Sequence, residues 1–140
     1  MSYTFPITKD MVKAKSTLSI SQKHATIVCR AINKKNYKEA TEFIKNLASE
    51  KKSLEGKYYT KTSKEILMFL KTLGSNAEAL NKDADKMKLM ISAHKGPTLM
   101  RGRRKWRFGR QMKICKIQAV LKGEKNGTGK SVREKSNKNA

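Results

Sequence analysis

The chain has 140 residues and carries 33 Lys and Arg against 11 Asp and Glu, a formal net charge of +22. That length fits one domain, and that charge makes a free compact monomer costly in self-repulsion unless counterions or a polyanion neutralise it. Acids are too scarce for a catalytic carboxylate pair, and no Ser/His/Asp or Cys/His grouping is present, so no enzymatic activity is expected. The basic residues do not share a helical face with large apolar groups, which argues against a membrane-surface role. The longest apolar run, Ile66–Leu70, is far too short to span a bilayer. Met1–Asp10 lacks the apolar core of a signal peptide. Isolated Cys29 and Cys115 imply neither a disulfide framework nor a zinc knuckle, which fits a reducing, intracellular compartment.

Val12, Ala14, Leu18 and Ile20 alternate with Lys13, Lys15, Thr17 and Ser19, the period of a strand with one buried face. Ser21 reads as an N-cap, and Ala25, Val28, Cys29 and Ile32 behind it hold helical spacing. Asn36 with Glu39 reads as a capping box for a second helix, whose stripe is Tyr37, Ala40, Ile44 and Leu47. Ser53–Lys61, with Gly56, reads as a connection. Thr62 with Glu65 reads as a further capping box, opening a third helix with Ile66, Phe69, Leu70, Leu73, Ala77 and Leu80 on one face. Gly74 inside that helix costs about 1 kcal/mol relative to Ala and marks close packing or a bend.

The segment from Lys86 to Gly123 dominates the chain. Met87, Leu89, Ile91 and Ala93 alternate at one end, and Cys115, Ile117, Ala119 and Leu121 at the other. From Lys86 to Gly123 inclusive stand 12 Lys and Arg and no acid. Two strands joined by a long, turn-containing, cationic centre predict a hairpin whose ends sit in a core and whose middle faces a polyanion. Beyond Gly123 the composition turns to Lys, Asn, Gly, Ser and Glu, which cannot bury enough apolar surface to offset ordering; a flexible basic tail over 124–140 is expected. The predicted fold is α+β: three helices packed on a small three-stranded antiparallel sheet, with a long protruding β-hairpin and that disordered tail. One domain spans 1–123.

Within the hairpin, Gly102–Arg110 (GRRKWRFGR) is the sharpest signal for nucleic acid. Arg forks bind phosphate bidentately and stack on bases, and Trp106 and Phe108 offer stacking faces. Gly127–Ser131 superficially resembles a nucleotide loop, but Glu124 stands where the first Gly is needed, and 132–140 are too few and too polar for the required helix. His24, Cys29, His94 and Cys115 lack paired-ligand spacing, so neither a metal nor any other cofactor is expected. A free-standing RNA-binding protein or RNA chaperone shares this composition and stays open on these residues alone.

Several stretches together resemble the universal large-subunit ribosomal protein 22 family, numbered 17 in eukaryotes. They are SISQKHATIVCRAINKKNYKEATEFI (Ser19–Ile44), SAHKGPTLMR (Ser92–Arg101) and RFGRQMKICKIQAVL (Arg107–Leu121), with Tyr58 and SKEILMFLKTLGSNAEALN (Ser63–Asn81) similar to the third helix and its approach. AHKGP and CKIQAVL look like the archaeal and eukaryotic branch. The resemblance implies a structural constituent of the large subunit, in the cytosol, that binds ribosomal RNA from several domains. It further implies a hairpin of about 95–116 lining the peptide exit tunnel, opposite large-subunit protein 4 and facing the nascent polypeptide. No homo-oligomer and no membrane partner are implied.

Carried over by position, the RNA-binding set is Lys23, His24, His94, Lys95, Arg101, Arg103, Arg104, Lys105, Arg107, Arg110, Lys113 and Lys116. The tunnel tip is Arg104, Lys105, Trp106, Arg107, Phe108 and Gly109. Trp106-Arg107 stands where the family usually has Arg and a small residue, the arm after Arg110 looks about four residues short, and Ser53–Lys61 is shorter than in eukaryotic relatives.

Overall fold

The computed structural model describes residues 3–102 and 109–123. Strand β1 (Val12–Leu18) is followed by helices α1 (Gln22–Ile32), α2 (Tyr37–Ala48) and α3 (Thr60–Ala79). A short 3-10 turn, Ala84–Lys86, leads into β2 (Lys88–Lys95) and then β3 (Cys115–Lys122). The sheet is antiparallel in the order β1-β3-β2, so the last strand is its centre. Ala14 faces Ala119 on one side of β3, and Ile91 faces Ala119 on the other. The expected α+β architecture and the pairing of the two hairpin strands are both present.

The period-two pattern explains which face is covered. Val12, Ala14, Leu89, Ile91, Cys115, Ile117, Ala119 and Leu121 join one buried cluster with Val28, Ile32, Ile44, Leu47, Ile66, Leu70 and Leu73 from the helices. Helix α1 lies on β2, α3 lies on β1, and α2 packs against α3. Burying this many aliphatic side chains, each worth roughly 1.5–3 kcal/mol, holds the body together against its own charge.

The opposite face of the sheet is not bare. Gln118 is buried there, and its Oε1 accepts hydrogen bonds from the backbone N–H of Thr4 (3.1 Å) and from its hydroxyl (3.2 Å). Val120, on the same face by parity, is also buried. The amino-terminal segment thus straps the outer face of the sheet, which the alternation of β3 alone did not predict.

The edge of β2 is closed by the connection between α1 and α2. The N–H of Lys34 donates to the Leu89 carbonyl (2.8 Å), the N–H of Leu89 to the Lys35 carbonyl (2.8 Å), and the N–H of Tyr37 to the Met87 carbonyl (3.0 Å). Such cover removes the unpaired ladder groups that invite edge-to-edge association.

Three predicted caps differ from what is found. Ser21 and Asn36 occupy N-cap positions, yet neither side chain bonds its helix. Helix α3 begins at Thr60, two positions before the predicted cap, and Thr62 is buried in its first turn. Its N-cap is Tyr59, with φ at +47°. The earlier start follows from the turn before it: Leu54 and Lys57 exchange two backbone hydrogen bonds around Glu55 and Gly56, both with positive φ, as in a tight hairpin turn. That turn leaves only Tyr58 and Tyr59 to enter the helix.

Candidate nucleic-acid interface

Beyond the sheet, the two legs of the hairpin stay antiparallel. The N–H of Gly96 donates to the Ile114 carbonyl (3.0 Å), that of Met112 to the Leu99 carbonyl (2.8 Å), and that of Arg101 to the Arg110 carbonyl (2.9 Å). Gly96 permits this approach: a Cβ there would fall 2.8 Å from the backbone of Ile114. Leu99 and Met100 are exposed on the arm, apolar groups beside cations that no part of the body covers. Gly109, with φ of +73°, turns the chain back toward Arg110. Arg103, Arg104, Lys105, Trp106, Arg107 and Phe108 lie outside the described residues, as does the tail from 124 onward.

At the root of the arm a cavity of about 650 Å³ opens between the start of α1, the start of α3 and both legs. His24, Lys61, Arg101, Arg110 and Lys113 line it, with no acid among the lining residues. A neighbouring cavity of about 500 Å³ brings Lys23 and Lys95 together with Lys113. The structure therefore gathers six of the predicted RNA-binding residues (Lys23, His24, Lys95, Arg101, Arg110 and Lys113) around two adjoining basic cavities that share Lys113. His94 and Lys116 stand apart from them. By strand parity both belong to the outer face, where His94 Nε2 is hydrogen-bonded with Thr4 Oγ1 (2.7 Å) and Ser92 Oγ (3.0 Å).

The helix ends sharpen the electrostatics. An N-terminus carries partial positive charge and favours acids in its first turn. Helix α2 obeys this rule, with Glu39 in its first turn and Lys45 in its last. Helices α1 and α3 have no acid in the first turn and place Lys23 and Lys61 there instead. Cations gathered on two positive helix ends repel one another, and an anion between them removes that cost. Lys61 was missed in the sequence, although a cation set against the dipole at the start of a helix was the available signal.

The two thiols are not part of this chemistry. Cys29 and Cys115 are free and buried. Burial pushes the Cys29 thiol up to about 12, with the neighbouring Cys115 adding to the shift. The Cys115 thiol is also raised, by burial first, with a backbone hydrogen bond at His94 opposing. Both behave as small hydrophobes. Among the described residues no group of three or more His, Cys, Asp or Glu could hold a metal ion, and no helix is long and apolar enough to cross a membrane.

What these features define is a small, strongly basic α+β domain that concentrates its cations on a paired arm and in the cavity at its root. Residues 13–122 match the model of the family described as ribosomal protein L22p/L17e, and the chain belongs to that family. It is 33% identical to the large ribosomal subunit protein uL22 of Sulfolobus acidocaldarius, over a stretch covering 53% of this chain and 62% of that protein.

Proposed function

We propose that this protein is a structural constituent of the large ribosomal subunit. It binds ribosomal RNA through the basic arm and the cavity at its root. The observation that carries this reading is the acid-free stretch from Lys86 to Gly123, with 12 Lys and Arg, mounted on two paired legs. Phosphate neutralisation supplies affinity, and a rigid arm fixes the register of the RNA segments it meets. Family membership and the naming of the Sulfolobus relative support placement in the large subunit.

The finer reading rests on the family resemblance. In it the arm lines the peptide exit tunnel, its tip over Arg104–Gly109 facing the nascent polypeptide and large-subunit protein 4, in cytosolic ribosomes. The protein then works by holding RNA segments in place during assembly and translation, without turnover.

The test is sedimentation of tagged full-length protein from cells in a sucrose gradient, followed by a high-salt wash. Retention on large subunits supports the proposal, whereas loss to the soluble fraction marks a free-standing RNA-binding protein. Replacing Arg101, Arg110 and Lys113 with Ala is expected to lower incorporation into large-subunit precursors. Unchanged incorporation removes the cavity from the account.

A further inference from the structure

Also beside the root cavity lies a smaller one of about 270 Å³, and the two share a wall made of His24, Lys61 and Thr62. Tyr59 lines the smaller cavity. Its ring meets the His24 ring edge to face, centroids 4.9 Å apart and planes inclined at 63°. His24 is exposed, so its imidazole is open to a ligand while Tyr59, packed against the core, buttresses it. Tyr59 is held at φ +47°, a left-handed conformation that side chains other than glycine rarely adopt. The short turn at Leu54–Lys57 and the start of α3 fix it there, and the ring comes to lie against His24.

A surface built only for phosphates needs cations and no ring; a surface for duplex backbone needs no recess. Here both occur: the rings of His24 and Tyr59 line the adjoining recesses together with Lys57, Lys61, Arg101 and Arg110. Together the cavities fall in the range of about 300–1,000 Å³ that holds small organic ligands. Bases freed from a helix are taken up by stacking on Tyr and His faces while cations hold the flanking backbone.

We propose that these adjoining cavities receive one unpaired nucleotide of the bound RNA. Its base stacks on His24, buttressed by Tyr59, and its flanking phosphates rest on Lys61 and on Arg101 with Arg110. This deepens the RNA-binding reading and depends on it. It assigns to the root of the arm recognition of an extruded base, where charge alone would accept any stretch of backbone.

The experiment uses the full-length protein and two short RNAs of equal length and charge, one fully paired and one carrying a single unpaired purine. Affinity is read by fluorescence anisotropy and stacking by the NMR shifts of the His24 ring protons. The unpaired RNA is expected to bind about tenfold more tightly and to move those protons upfield, as a base stacked over the ring requires. His24→Phe keeps the preference and His24→Lys loses it, although the lysine adds charge; His24 is exposed, so neither change threatens the fold. Equal affinity for the two RNAs without an upfield shift overturns the nucleotide pocket and leaves the RNA-binding reading standing. Binding to neither RNA overturns both.

Discussion

The hydroxyl of Tyr37 on α2 occupies the gap left by Gly74 on α3: a Cβ at position 74 would lie 2.6 Å from that oxygen. The same hydroxyl donates to the Leu70 carbonyl at 2.8 Å. Gly74 is therefore the close-packing point between the two helices. Gly74→Ala gains about 1 kcal/mol of helix propensity. It loses more through overpacking, typically about 1–3 kcal/mol, and through displacement of the hydroxyl. A net destabilisation of about 1–2 kcal/mol is expected from urea unfolding midpoints. The sign should reverse in a Tyr37→Phe background, where the clashing oxygen is gone; a penalty that survives there would show that the hydroxyl is not its source.

The root of the arm carries a second such relationship, of a different kind. A Cβ on Gly96 would meet the Cγ2 of Ile114 at 2.6 Å and its backbone carbon and oxygen at 2.8 Å. A side-chain tip can swing away, but a backbone carbonyl already bonded to the Gly96 N–H cannot. Gly96→Ala should therefore part the legs. Amide hydrogen exchange is expected to speed up at Gly96, Arg101 and Met112, the cross-leg donors among the described residues, while the β1–β3 ladder stays protected. Ile114→Ala should fail to rescue it, since two of the three close atoms are main chain.

The buried thiols make a prediction about alkaline stability. The Cys29 thiol is raised from its ordinary value of 9.0 to about 12, chiefly by burial. Below pH of about 9 it is protonated whether the chain is folded or not, and it adds no pH dependence. Between about 9 and about 12 the unfolded chain releases this proton while the native state keeps it, so stability falls as pH rises. Lysine neutralisation acts in the same range by relieving repulsion, so the measurement is a difference. Cys29→Ala, whatever packing it loses, should show a shallower alkaline decline than the parent. Equal slopes would place the Cys29 side chain in solvent.

Much of this architecture was legible because burial is one-sided. Ala14, Ile91 and Ala119 repeat every second residue on the face that meets the helices, and Val28, Ile44 and Leu70 hold helical spacing on the faces that meet the sheet. Six predicted RNA-binding residues converge because they flank the same two chain reversals, the start of α1 and the legs of the arm. What escaped has equally definite causes. Gln118 reads as a polar outward residue, but it is buried and accepts from Thr4 on the amino-terminal strap, a partner distant in sequence. The capping boxes were read from residue type, but backbone pairing at Tyr37 and the turn before Tyr59 set those helix starts. His94 enters the RNA-binding set by its position in the family pattern; parity sets it on the outer face beside Thr4, apart from the cavity, a placement that its position in the pattern alone does not give.

The same geometry fixes how RNA affinity should respond to salt. Each phosphate contact to single-stranded RNA contributes about 0.7 to the slope of log affinity against log salt. Arg101 and Arg110 line one cavity from opposite legs, so removing both should lower that slope by about 1.4 if each meets one phosphate. Lys86 and Asp83 form an exposed ion pair at 3.1 Å, with side chains 83% and 76% accessible. Such pairs are worth about 0–1 kcal/mol, and this one lies outside the cavity at the root of the arm, so Asp83→Ala should leave both fold and slope nearly unchanged. Titrations of full-length protein with unpaired RNA across a range of potassium chloride concentrations measure both variants. A slope unmoved by the double arginine change, or moved as far by Asp83→Ala, would mean that net charge and not the root of the arm governs binding.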